Sequence, residues 1–278
     1  MPKIDPKLPT ALKRLGIVAW ELPRAEIRTS PAHRHAEAQL CGLDAGLAVL
    51  ETEAGAWTCP PGQCVWIPPN IEHSLRSCGK ISGWMVRMDI TAEAELPAEP
   101  RILALSPLLR EVIVRMMTGV EDAALDAPRR RLLEVFYDEV RSAPTTRLHL
   151  PVPHDAALRR LSLLLGETSD ASMDLSELAH EVGVSERSLF RKFQQETGLS
   201  PGQWRRQAKV LRSFELLTDG WSVTETATEV GYESLGAFIR AFREIAGLTP
   251  SQYAQSTAST QSKPSRAFRR FGPLIGNP

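Results

Sequence analysis

The chain has 278 residues, which is enough for two domains that each bury a core. Lys plus Arg and Asp plus Glu both number 33, so the formal net charge is zero and a protein that is basic throughout is excluded. A nucleic-acid or other anionic partner would have to meet a local cluster of charge instead.

The N-terminal residues 1–16 lack the apolar core that a secretory signal needs. No apolar run in the sequence approaches the roughly 18 residues of a membrane-spanning helix. The four cysteines all lie in the first third of the chain: Cys41, Cys59, Cys64 and Cys78. We therefore expect a cytoplasmic protein with no membrane contact, whose thiols are reduced and buried.

Residues 15–90 predict a domain of short β-strands. Apolar segments alternate with proline and glycine breaks, at 16–20, 39–41, 46–50, 64–67 and 83–86. Many short strands separated by turn residues are typical of a sandwich or barrel.

The pattern changes to helical spacing from residue 106. Ser106 and Pro107 can serve as the N-cap and first residue of one helix. A second helix is predicted over about 128–140. Residues 143–154 contain three prolines and predict a linker. The sequence from 155 to 255 is helical almost throughout, and the basic tail 256–278, rich in Ser and Thr, is expected to be disordered.

The helical half contains an internal repeat. Ala179 and Gly183 match Ala227 and Gly231, 48 residues later. A later group is 49 residues apart, pairing Phe193 with Phe242, Gly198 with Gly247 and Pro201 with Pro250. Each copy predicts a short helix, a glycine turn and a second helix, which is a helix-turn-helix unit. Ser185 and Ser234 are placed to cap the two second helices.

Basic side chains gather on the second helices and on the helix that joins the two copies. On the joining helix they include Arg205 and Arg206, and on the second helix of the second copy Arg240 and Arg243. Basic side chains beside helix N-termini are what phosphate binding needs. The alternative is an amphipathic helical bundle whose arginines are only solvated. A single copy of the pattern would leave this alternative more open, and the second copy at matched spacing disfavours it.

The segments "LAHEVGVSERSLFRKFQQETGLSPGQW" and "ATEVGYESLGAFIRAFREIAGLTPSQY" resemble the tandem helix-turn-helix domain of AraC-type transcription regulators. The resemblance implies that helices at about 186–196 and 235–245 enter successive major-groove segments. It implies the following contacts with bases: Arg187, Ser188, Arg191, Lys192, Ser234, Gly236, Ala237 and Arg240. Arg187 and Arg191 are the strongest candidates, because arginine reads guanine well.

A second resemblance lies in the β half. His33, His35 and Gln39, followed later by Asn70 and His73, are similar in spacing to the two cupin motifs. The resemblance implies a metal site with His33, His35, Gln39 and His73 as ligands, holding a divalent ion (Zn, Ni, Fe or Mn). Gln39 replaces the glutamate of the family and Asn70 a glycine. Two alternatives to a metal site therefore remain. The histidines could line a polar pocket that holds no metal, or they could be a chance grouping on the surface.

Tryptophans are concentrated in this half, and Trp57, Trp66 and Trp84 are candidate pocket residues for a small ligand. We therefore expect an α+β protein. A cupin-like barrel with dimerisation helices (1–142) and a linker (143–154) would precede an all-α DNA-binding domain (155–255).

The predicted function is a sequence-specific transcriptional regulator that responds to a small molecule or metal. Its expected partners are promoter DNA, a second copy of the chain and RNA polymerase. The alternative is a metal-dependent cupin enzyme fused to a helix-turn-helix. The amide of Gln39, in place of a carboxylate, disfavours an enzyme.

Overall fold

The computed structural model describes residues 16–25, 29–89, 95–117, 127–167, 179–180 and 183–258. The chain forms two compact units. One comprises Met1–Thr52 and Trp57–Arg147, and the other Glu53–Ala56 and Leu148–Pro278. The change of unit after Arg147 falls inside the predicted linker 143–154.

Antiparallel strands make up the sheet of the first unit. They are β1 (Ile17–Ala25), β2 (Thr29–His33), β3 (Ala38–Thr52), β4 (Gly55–Cys59), β5 (Gln63–Ile67), β6 (His73–Met88) and β7 (Arg101–Ala104). The long strand β6 pairs with β1, β2 and β3, while β3 also pairs with β4 and β5, and β5 with β7. The described strands therefore form a mixed-length antiparallel sheet, in agreement with the predicted β domain.

The predicted short segments 39–41 and 46–50 are parts of one strand, β3, which is 15 residues long. Gly46, at the start of the second of these segments, has a φ of 80° and lies inside the strand. The pairing of β3 with β6 shifts register between Leu43 and Ala45 and again between Ala45 and Leu47. Gly46 thus marks a bulge, because glycine tolerates the left-handed backbone that such a bulge uses.

Two helices cover one face of this sheet: α1 (Pro107–Met117) and α2 (Ala127–Ser142). The hydroxyl of Ser106 accepts the N–H of Leu109 at 2.9 Å, which confirms the predicted cap of α1. The core beneath the helices combines Leu109 and Phe136 with Trp66 and Trp84 from the sheet. Burying a Leu or Phe side chain contributes about 1.5–3 kcal/mol, so the packing of the helices on this face stabilises the unit.

The second unit is helical apart from β8 (His149–Pro151). Its helices are α3 (Ala156–Glu167), α4 (Glu186–Thr197), α5 (Pro201–Thr218), α6 (Val223–Glu229), α7 (Leu235–Ala246) and α8 (Pro250–Ala258). Part of the predicted linker is therefore a strand. It is attached to α5, because the Trp204 indole N–H donates to the carbonyl of Pro151 at 2.7 Å. Most of the tail predicted to be disordered, from 259 on, lies outside the described residues.

The two copies of the repeat make the same turn. Val184 N–H donates to Ala179 C=O at 2.9 Å, and Tyr232 N–H donates to Ala227 C=O at 2.9 Å. Gly183 and Gly231 sit before these donors with φ of 73° and 72°. Both turns are thus left-handed helix ends of the Schellman type, as the glycines predicted. The first helix of the first copy is described only at residues 179–180.

The second helices of the repeat begin at the predicted caps. Ser185 accepts from Ser188 N–H and Ser234 from Ala237 N–H. Their inner faces are fully buried at Leu189, Phe193, Phe238 and Phe242. No helix in the described part of the chain has both the length and the low polarity that crossing a bilayer requires.

Candidate functional site

Three histidines that are far apart in sequence converge in the first unit. The ring centroids of His33 and His73 are 4.4 Å apart, those of His35 and His73 5.0 Å, and those of His33 and His35 5.9 Å. One ring nitrogen of each lies within 4.8 Å of the others. Zinc–imidazole bonds are about 2.0–2.1 Å long, so three nitrogens this close together are a candidate ligand set for one ion.

Each of these rings is oriented by a backbone carbonyl two residues away. The Nδ1–H of His33 donates to Pro31 C=O (2.9 Å), that of His35 to Glu37 C=O (2.7 Å) and that of His73 to Ile71 C=O (2.8 Å). Such bonds fix the tautomer and leave Nε2 as the basic nitrogen. Nε2 of His35 is buried and finds no hydrogen-bond partner among the described residues.

The strands and one tight turn bring the histidines together. His33 ends β2 and pairs in register with His73, the first residue of β6. His35 lies two residues beyond the end of β2. Asn70 has a φ of 62°, and its N–H donates to His35 C=O at 2.8 Å. Asparagine tolerates this left-handed backbone, which explains how it replaces the glycine of the motif.

Burial favours the neutral imidazole at two of the histidines, His35 and His73. Burial, assisted by the charge of Arg87, lowers the pKa of His35. Burial lowers the pKa of His73 to about 4, and the neighbouring histidines and Arg87 act in the same direction. A neutral imidazole is the form that binds a metal ion.

A small cavity adjoins the cluster, with a volume of about 30 Å³. It has room for about two or three water molecules. The lining consists of Leu22, Ser30, His33, Gln39, Cys41, Leu43, Ala48, His73, Leu75, Ile81, Met85 and Arg87. Gln39 thus lies at the cavity with two of the histidines, as the cupin spacing predicted, and its Oε1 accepts from Arg87 Nε at 3.4 Å.

None of the predicted pocket tryptophans, Trp57, Trp66 and Trp84, lines this cavity, although Trp84 lines a second one of about 260 Å³ in the same unit. The reason is the alternation of side chains along a strand. On β6, Met85 and Arg87 face the cavity, while Trp84 belongs to the core under α1 and α2. Trp66 lies in the same core, and its indole N–H donates to Pro97 C=O at 2.8 Å.

Arg87 is the site residue that sequence reasoning missed. It is only 8% exposed, although it carries a full charge. An available signal was its position between apolar residues in the segment Gly83–Met88, where alternation turns one residue in two toward the interior.

The four cysteines are free and buried, as predicted. Burial raises the pKa of Cys41 to about 12, and burial also raises the pKa of Cys59 and Cys64. A thiol with a raised pKa is a poor nucleophile and a poor metal ligand. Cys41, Cys59 and Cys64 therefore act as small apolar side chains.

The second candidate site is the outer face of α4. Arg187, Arg191 and Lys192 are exposed there, and none forms an ion pair with a described residue. Ser188 is half-buried, and its hydroxyl accepts from that of Ser185 at 2.9 Å. The face thus offers three free cations beside a capped helix N-terminus, a geometry suited to a DNA backbone and base edges.

The outer face of α7 is less polar. Arg240 and Arg243 are exposed, whereas Ser234 is occupied as the cap. Gly236 is exposed and Ala237 half-buried, so the start of this helix offers little more than backbone and methyl groups.

On the joining helix α5, the two predicted DNA contacts, Arg205 and Arg206, are partly engaged within the protein. Arg206 forms a bidentate ion pair with Glu244 of α7, with the closer N···O distance 2.5 Å. Arg205 is half-buried. A third base, Lys209, donates to Gly231 C=O at 2.7 Å and so supports the second turn. These side chains differ from the unpaired cations of α4.

Each half of the chain matches a known protein family. A profile described as an AraC-like ligand binding domain matches residues 17–149, and one described as a helix-turn-helix domain matches residues 178–256. The chain is 32% identical over 236 residues to the HTH-type transcriptional regulator NimR of Escherichia coli (strain K12), covering 84% of this chain and 86% of NimR.

Two further similarities are partial or distant. The HTH-type transcriptional activator RhaR of Escherichia coli (strain K12) is 30% identical over 104 residues, which is 37% of each chain. The structure of ToxT from Vibrio cholerae aligns over 86% of this chain and 97% of that chain, with 11% identity and a TM-score of 0.38. The family assignment therefore rests on sequence. With NimR matched over most of both chains, the protein belongs to the AraC family of transcriptional regulators, and joins a ligand-binding domain to a helix-turn-helix DNA-binding domain.

Proposed function

We propose that this regulator holds a divalent transition-metal ion at His33, His35 and His73, and that the ion is part of its regulatory input. The observation that carries the proposal is the convergence of three imidazoles whose Nδ1 atoms are all committed to backbone carbonyls. Three neutral histidines are an adequate ligand set for zinc and related ions, and leave one position open.

The size of the histidine cavity supports an ion over a bulky effector at that position. Drug-sized ligands occupy pockets of roughly 300–1,000 Å³, whereas the cavity beside the histidines measures about 30 Å³. An ion with one or two small co-ligands fits that space. No carboxylate occurs among the described residues that line it, so we assign the site no catalytic step.

On DNA, α4 supplies most of the base reading and α7 mainly grips the backbone. Arg187 and Arg191 present guanidinium groups, which pair with the O6 and N7 atoms of guanine. The exposed Arg240 and Arg243 of α7 suit phosphate contacts.

The regulator acts as a homodimer whose contact surface includes the outer sides of α1 and α2. Leu108 is 53% exposed, and Val114 and Val135 are each 36% exposed. Exposed apolar groups on neighbouring helices mark an association surface. A dimer bound at a promoter would then recruit or exclude RNA polymerase.

The metal content of the purified protein tests the proposal directly. Elemental analysis of native protein should find close to one transition-metal ion per chain. A His33→Ala/His73→Ala variant should lose it, while an exposed-histidine control, His154→Ala, should retain it. Equal and near-zero metal in all three proteins would remove the metal from the account.

A further inference from the structure

The second helices of the two repeat copies, α4 and α7, begin with different chemistry at matched positions. Their caps, Ser185 and Ser234, are 49 residues apart, and so are the buried Phe193 and Phe242. The first three residues of α4 are Glu186, Arg187 and Ser188, and those of α7 are Leu235, Gly236 and Ala237. Because the caps, the preceding turns and the inner faces are alike, the fold of the unit does not require this difference.

Leu235 is an exposed apolar side chain at the first position of α7, where 40% of its surface is accessible. A lone exposed leucine is ordinary on a protein surface, so its position is what gives it meaning. In helix-turn-helix proteins, the N-terminal residues of this helix contact the base edges. Residues 235–237 carry no side-chain nitrogen or oxygen, and the Ser234 hydroxyl already accepts from Ala237 N–H at 3.2 Å. The first turn of α7 therefore presents an alkyl group to a base pair.

Gly236 lets the same turn lie close to a duplex. Its backbone is not in the left-handed region, and among the described residues a Cβ there would meet Arg240 Nη1 at 3.7 Å, an ordinary van der Waals distance. Alanine would therefore fit, and it favours a helix more than glycine does. The described part of the unit thus gives no reason for glycine at this position, whereas the close approach of DNA to the helix backbone does.

We propose that Leu235 selects thymine, by packing its side chain against the 5-methyl group in the major groove. Gly236 allows the approach that this contact needs. The inference rests on the proposed placement of α4 and α7 on DNA, and it adds one base contact to the backbone grip of α7. Thymine presents a methyl group in the major groove, and an alkyl side chain recognises it by removing apolar surface from water.

Replacing thymine with uracil tests the contact. Each thymine of an operator fragment, first located by footprinting, is replaced in turn by 2′-deoxyuridine, which keeps the hydrogen-bonding edges and lacks the methyl group. Fluorescence anisotropy then gives the Kd of the full-length protein for each fragment. At one position or more, the Kd should rise about fourfold, as expected when one methyl group is no longer buried.

Three variants assign the effect. Leu235→Ala should bind the thymine operator more weakly, by about fourfold or more, and should bind the thymine and uracil forms alike. Glu186→Ala changes the matched position of α4 and should keep the wild-type ratio of the two Kd values. Gly236→Ala should resist thermal unfolding at least as well as wild type and yet bind the operator more weakly, which a purely structural glycine would not do.

The Kd values also separate failure of this inference from failure of the proposed DNA placement. Equal Kd values for thymine and uracil at every position, or a ratio that Leu235→Ala leaves unchanged, would overturn the inference. Wild-type affinity in Gly236→Ala would overturn the close approach. If uracil has no effect but Arg240→Ala still weakens binding, α7 stays on the DNA as a backbone contact alone. Wild-type affinity in both Leu235→Ala and Arg240→Ala would remove α7 from the interface.

Discussion

Arg87 and Gln39 form a cross-strand pair in which Nε of the arginine donates to Oε1 of the glutamine at 3.4 Å. The pair joins β6 to β3 on the face that lines the histidine cavity. Because both side chains are almost fully buried, the amide is part of how the unit tolerates a charged residue in its interior.

Replacing Gln39 with leucine should therefore destabilise the first unit. Arg87 loses this acceptor in a buried setting, and loss of a hydrogen bond to a charged group costs about 1–3 kcal/mol. Urea denaturation of the full chain would report the change in free energy of unfolding. Gln39→Glu keeps an acceptor and is the matched control; a Leu variant as stable as that control would show that the pair contributes nothing.

Two glycine-to-alanine substitutions in the second unit should change its stability in opposite directions. Gly183 has a φ of 73° and open space where a Cβ would stand, so Gly183→Ala should cost about 1 kcal/mol through the backbone alone. Gly202 lies in the first turn of α5, also with open space and without a positive φ. Gly202→Ala should stabilise by about 0.5–1 kcal/mol. The midpoint of thermal unfolding, measured for both variants, tests this prediction. Equal shifts of the midpoint would contradict the left-handed turn assigned to Gly183.

Stability of the second unit should fall in mild acid because of His149. Burial lowers the pKa of His149 to about 4, from 6.5 in the unfolded chain. The unfolded state therefore binds more protons between these values, and stability is lost as the pH falls from about 6.5 toward 4. The loss reaches about 3 kcal/mol at most, at 1.36 kcal/mol per pKa unit.

The pH dependence of urea unfolding checks this assignment. His149→Gln should flatten the decline between pH 6.5 and 4, whatever its effect on stability at neutral pH. His154, an exposed histidine of the same unit, is the control, and His154→Gln should keep the wild-type slope. An unchanged slope in His149→Gln would assign the acid sensitivity to other groups.

Arg191 and Arg206 should differ in their effect on DNA binding. Arg191 is exposed on α4 without an ion pair to a described residue, so Arg191→Ala should weaken specific binding by about 1–3 kcal/mol. Arg206 is paired with Glu244, and its loss should cost less than about 1 kcal/mol. Fluorescence anisotropy with an operator fragment, first located by footprinting, measures both. Similar losses would indicate that Arg206 leaves its partner to contact DNA.

The helical half could be predicted closely because its signals are local. Ser185 and Ser234 cap their helices, and Gly183 and Gly231 take the left-handed turn, all within a few residues of sequence. Such features depend on backbone chemistry that each short segment carries by itself.

The β half was harder because its decisive contacts are between distant strands. The histidines could be grouped by their spacing, but the side of the sheet that each tryptophan faces depends on register. Trp84 and Met85 are neighbours in sequence and lie on opposite faces. Arg87 went unnoticed for the same reason, since its partner Gln39 is 48 residues away.

A metal ion at the three histidines should control operator affinity. The direct measurement is the operator Kd of wild type and of His73→Ala, each with zinc added and with zinc chelated. Wild type should change by at least about fivefold between the two conditions, and His73→Ala should not change. A wild-type protein that binds zinc stoichiometrically yet holds its operator with the same Kd in both conditions would contradict the account.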